Sequence, residues 1–126
     1  MAFDWKEYLS LARLLKLPQR EALPREAALR SAVSRAYYAA HCHTRNRAEA
    51  EHGFEPTRTA EDHRRVPEFL EEKGADVAGN KLRQLKHWRE RCDYDNDIVD
   101  IEFLAHAAVQ QAEDVLDAVE NLPKSV

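Results

Sequence analysis

Glycine and proline are scarce in this chain, three and five among 126 residues. Alanine, leucine, glutamate and arginine abound instead, a balance that favours helix over sheet. Cysteine is as rare: Cys42 and Cys92 form neither a CxxC pair nor a disulfide framework of the small secreted kind. No apolar run approaches the roughly 18 to 20 residues of a membrane span. Asp4, Lys6 and Glu7 interrupt the N-terminus, which argues against a signal peptide. A cytoplasmic location with no membrane contact is therefore expected. Also missing are a glycine-rich phosphate loop, a nucleophile elbow and a helix-turn-helix pattern. The formal charge of −4 excludes a domain that holds duplex DNA by overall charge, though not a local basic patch.

What is present is helical periodicity. With 44% apolar and 33% charged residues, the chain has the composition of one globular domain spanning 1–126. Trp5, Tyr8, Leu9, Ala12 and Leu15 predict a first helix over about 3–16, stopped by Pro18. After a short connection over 17–23, Pro24 opens a long, alanine-dense helix to about 50, with Gly53 as its stop. Residues 53–66 read as a loop. A short third helix follows, with Pro67 in its first turn, and ends at Gly74. Leu82, Leu85, Trp88 and Cys92 mark a fourth helix over about 76–93. Apolar steps of three and four from Ile98 and Ile101 to Leu122 mark a fifth, which Pro123 ends. The expectation is an all-α, up-and-down four- or five-helix bundle with no strand, repeat or second domain. Trp5, Tyr37, Tyr38 and Trp88 exceed what one small core needs, which suggests a homodimer.

Four groups of residues could carry chemistry. Arg35, in Ser34-Arg35-Ala36-Tyr37-Tyr38, borders the alanine face with Tyr38 and Cys42 one turn on. It reads either as an RNA-phosphate contact or as an inter-helix salt bridge, with Asp93 as the expected partner in a lock. Arg89 falls on the apolar side of the fourth helix, one turn before Asp93, and is either part of that lock or a site. His41, Cys42 and His43, with Glu49 and His52, suggest a metal at first glance. Residues two apart on a helix diverge by about 200°, so His41 and His43 cannot share an ion, and no metal or other cofactor is expected. Finally, Lys81, Arg83, Lys86, His87, Arg89 and Arg91 form a basic stripe, either a solvated face or an RNA-facing surface.

The run from Leu29 to Ala40, with Ser-Arg-Ala-Tyr-Tyr-Ala-Ala at its heart, resembles the second helix of small prokaryotic HEPN (higher eukaryotes and prokaryotes nucleotide-binding) proteins. His63 before a short helix fits that pattern, and Arg89 to Asp95 is similar to the family's Arg-x-x-Ala-Asp-Tyr segment. The resemblance implies a helical bundle, commonly a homodimer. It implies RNA or nucleotide binding, or a toxin paired with a nucleotidyltransferase-like antitoxin. Many members are metal-independent ribonucleases whose motif is an arginine followed four to six residues later by a histidine. It would place the catalytic pair at Arg89 and Tyr94, and phosphate contacts at Arg35, Tyr38, Lys86, Arg89 and Arg91. The motif histidine is Tyr94 here, and a phenol of pKa near 10 is a poor base at neutral pH. Weak or absent ribonuclease activity follows. The alternative is a non-catalytic dimeric helical interaction module.

Overall fold

A computed structural model describes residues 2–18 and 23–123. Within them the chain is an all-α helical bundle with no strand: α1 (Lys6–Lys16), α2 (Arg25–His52), α3 (Asp62–Glu72), α4 (Asp76–Tyr94) and α5 (Ile101–Glu120). The middle of the expected 17–23 connection, residues 19–22, lies outside the described residues. No described helix is long and apolar enough to cross a membrane.

The central element is α2, which touches each of the other four helices. Alanine makes that possible. Ala32, Ala36, Ala39 and Ala40 are fully buried, so neighbouring backbones approach closely where a larger side chain would hold them off. α1 and α5 flank α2, α4 takes a further side, and α3 packs on α4 and α2. Leu29, Val33, Leu70, Leu82, Leu85 and Val115 fill the core between them, all buried. Trimming any one of the leucines to alanine costs about 2 to 5 kcal/mol at such sites. Pro24 stands just outside α2, and Gly53 caps its far end at φ 72°. That left-handed conformation comes without strain only to glycine.

α3 departs from expectation. It begins at Asp62, so Pro67 lies inside the helix and not in its first turn. The early start has a local cause. The buried Asp62 carboxylate accepts bonds from the Thr57 amide (3.0 Å), the Thr57 hydroxyl (2.8 Å) and the Arg58 amide (2.9 Å), and from Arg65 (2.9 Å). The loop is thereby folded onto the helix start, with Arg58 held at φ 58°. Further along, α3 lies hard against α4. A Cβ built on Gly79 would stand 3.0 Å from the Pro67 carbonyl oxygen.

The expected lock between Arg35 and Asp93 does not form. Asp93 meets Arg89 on its own helix, and the Arg35 guanidinium lies 4.8 Å above the Tyr8 ring of α1. Geometry explains the difference: Arg35 is two residues before Tyr37, and so points about 200° away from the face that Tyr37 turns to α3 and α4. Arg30 is the residue that joins α2 to the end of α4. Its guanidinium donates to the carbonyls of Cys92 (3.0 Å), Asp95 (2.6 Å) and Asn96 (3.1 Å).

Candidate functional site

Three helices converge on one aromatic and basic cluster. α2 supplies Tyr37, Tyr38 and His41, α3 supplies His63, and α4 supplies Arg89. Tyr37 and His41 are four residues apart and share a face of α2. His63 is the second residue of α3, placed there by the Asp62 loop contacts. The rings of Tyr37, His41 and His63 are nearly parallel. His41 and His63 have centroids 4.5 Å apart at 18°, and Tyr37 lies 5.5 Å from His41 and 5.6 Å from His63. The Tyr37 hydroxyl is hydrogen-bonded to His63 Nδ1. Tyr38 stands edge-on to this group, 5.2 Å from Tyr37 and 6.3 Å from His63.

Arg89 covers both tyrosines, with its guanidinium carbon 5.4 Å from each ring. One Nη donates to the Tyr38 hydroxyl (3.3 Å) and lies 3.4 Å from the Asp93 carboxylate. The Arg89 side chain is only 14% exposed, and its buried Nε has no partner among the described residues. A buried N–H without an acceptor is costly.

The electrostatics keep both imidazoles neutral. Burial first, then His63 and Arg45, hold His41 down to about 3. Burial, then the positive charges of Arg89 and Lys86, lower His63, with Asp62 and Glu90 opposing. Burial pushes the Tyr37 phenol well above its usual value despite Arg89, so it keeps its proton.

The remaining expected residues lie elsewhere. Tyr94 is 79% exposed and shares a shallow surface groove with His87, Glu90, Arg91 and Asp95, so the structure does not bring it to Arg89. Its five-residue offset turns it about 140° around α4 from Arg89. The basic stripe is not an open cationic track. Lys81 pairs with Asp114 (2.7 Å), Lys86 with Glu90 (3.5 Å) and Arg91 with Asp95 (3.3 Å), and Arg83 pairs with Glu71. The metal-like group disperses: His43 meets Glu120 (2.9 Å), Glu49 meets Arg58 (3.2 Å), and His52 packs on Phe69. Among the described residues no three His, Cys, Asp or Glu side chains converge as a metal site. Tyr37 also lies wholly inside the chain and needs no second copy to cover it.

Sequence reading missed Tyr37 and His41 as members of the site. The signal was there in their four-residue spacing, but only tertiary packing brings His63 to them. No family model, curated protein or solved structure matches this chain.

Proposed function

We propose that this chain is a HEPN-type domain that binds RNA or a nucleotide through a phosphate held at Arg89, with weak or absent ribonuclease activity. The observation that carries this reading is the state of the Arg89 guanidinium. It is mostly buried over two tyrosine rings, it is beside His63, and its Nε lacks an acceptor. A planar guanidinium is the group best shaped for a phosphate oxygen. Tyr38 adds a hydroxyl at the same place. Weak cleavage fits the exposed position of Tyr94, which cannot serve a phosphate at Arg89.

Binding of a fluorescent single-stranded RNA, followed by anisotropy with a chelator present, tests the proposal. Wild type binds, and Arg89→Ala weakens binding at least about tenfold, the loss expected for a charge-assisted bond of about 1.5 to 3 kcal/mol. A wild type that binds neither RNA nor nucleotide would leave the interaction-module reading in its place.

The resemblance extends the proposal to a second copy of the chain and to a nucleotidyltransferase-like antitoxin partner. The apolar side chains exposed along α1 and just past its end, Leu11, Leu14 and Leu17, support a covered face there. Light scattering at micromolar concentration tests the dimer, and a monomer mass would overturn it.

A further inference from the structure

The hydrogen bond between Tyr37 and His63 decides what His63 can do. Tyr37 is fully buried, and His63 Nδ1 is the hydrogen-bond partner of its hydroxyl. If the hydroxyl did not donate there, its proton would be buried without an acceptor. A phenol is also a better donor than acceptor, and an imidazole nitrogen the better acceptor of the two. The proton therefore points from Tyr37 to Nδ1. In a neutral ring the remaining hydrogen must then sit on Nε2. Among the described residues that nitrogen makes no hydrogen bond, and it is not among the buried unpartnered atoms, so it is partly accessible.

We propose that Tyr37 is a positioning residue that fixes His63 in the Nε2–H tautomer, so that His63 meets a phosphodiester as a hydrogen-bond donor and not as a base. This rests on the reading that a phosphate occupies the Arg89 site. The cluster then presents three donors, the Arg89 guanidinium, the Tyr38 hydroxyl and the His63 Nε2–H, beside the Asp93 carboxylate that lies 3.4 Å from the Arg89 Nη. Such a set stabilises a phosphate oxyanion. Its imidazole offers no free lone pair to take the proton of a ribose hydroxyl, the step that starts metal-free RNA cleavage. His41 does not fill the gap, because it is 3% exposed and stacked behind His63. The binding of RNA without efficient cutting thus has a local cause in one buried hydroxyl.

The charges around His63 agree with a neutral ring. Facing it are Tyr37, Tyr38 and the stacked His41 from α2, Asp62 from its own helix, and Lys86, Arg89 and Glu90 from α4. The two carboxylates are occupied: Asp62 by Thr57, Arg58 and Arg65, and Glu90 by Lys86. Burial and the positive charges of Arg89 and Lys86 outweigh them and favour the neutral ring.

Long-range proton–nitrogen correlation spectra of the histidine rings test this in the free protein, with the His63 signals assigned by their loss in His63→Asn. The expected wild-type spectrum at neutral pH shows Nε2 protonated and Nδ1 as a hydrogen-bonded acceptor. In Tyr37→Phe, which keeps the ring and removes the hydroxyl, the two tautomers mix. A wild-type ring with its hydrogen on Nδ1, a charged ring, or a tautomer unmoved by Tyr37→Phe would overturn the proposal. The wild-type spectrum decides even where the variant does not fold. Adding a short oligouridylate should shift the Nε2 signals with no second proton appearing on Nδ1. An imidazolium in that complex would also overturn the donor role. A tautomer as expected but undisturbed by RNA, in wild type and Arg89→Ala alike, would sink the phosphate site and, with it, the donor role toward RNA.

Discussion

His41 and His63 lie face to face across the contact of α2 with α3, their rings 4.5 Å apart and 18° from parallel. Two imidazoles so placed cannot both carry charge, and with Arg89 and Arg45 close by neither gains from doing so. The pair behaves as buried aromatic surface with polar edges. That is why it sits well in a core that also holds Tyr37, and why acid is its weakness.

Stability should fall as the solution is acidified from neutral pH. Unfolded His41 takes up a proton below about 6.5, whereas the folded residue resists down to about 3, so the unfolded state binds more protons in between. Each such histidine removes up to about 1.4 kcal/mol per pH unit across that window. His63 adds to the loss in the same direction. His41→Phe keeps a stacked ring without the titration, and urea unfolding across a pH series should show a shallower fall. An unchanged slope would place the loss on other groups.

A second acid-sensitive element lies lower on the pH scale. Burial works against the Asp62 carboxylate, but its bonds from Thr57, Arg58 and Arg65 outweigh it and bring it to about 2, from 3.8. Its contribution is whole above the unfolded value and fades as pH falls toward 2. Asp62→Ala should cost about 2 to 3 kcal/mol at neutral pH, the range for hydrogen bonds to a charged group. Hydrogen exchange at the Thr57 and Arg58 amides should quicken together. Protected amides in the variant would show that the loop holds itself.

Arg30 and Arg35 should differ sharply. Arg30→Ala frees the carbonyls of Cys92, Asp95 and Asn96 and should cost about 2 kcal/mol in chemical denaturation. Arg35→Ala loses a contact with the Tyr8 ring, worth about 1 kcal/mol or less. Equal losses would mean that the carbonyl bonds contribute nothing beyond packing.

Tyr94→His should create no ribonuclease, although it restores the arginine-to-histidine spacing in the sequence. The side chain at 94 is in solvent and faces away from Arg89. A gel assay with unlabelled RNA and chelator is sufficient, and new cleavage that depends on Arg89 would show that the two positions do meet.

The helices were legible because each has its own periodicity and its own stop, such as Pro18, Gly53 and Pro123. The start of α3 was not, because it depends on Asp62 gathering amides from a loop that carries no helical pattern. Arg35 and Arg30 look alike in sequence, and what separates them is which carbonyls α4 leaves exposed at its end. The basic stripe looked unpaired because the acids that neutralise it come partly from α3 and α5. His63 was visible only as a residue before a short helix. Its proximity to Tyr37 and Arg89 is a product of packing.

The close approach of Gly79 to Pro67 makes α4 a common ruler for the site. Ten residues separate Gly79 from Arg89, about 15 Å of rigid helix. At one end of that length α4 carries the guanidinium; at the other it sets how near α3, and hence His63, can lie. The spacing between the two groups is therefore written into the thickness of a contact that neither of them touches. A single methyl group at position 79 would ask the Pro67 segment of α3 to give by a few tenths of an ångström, leaving every residue of the cluster chemically intact.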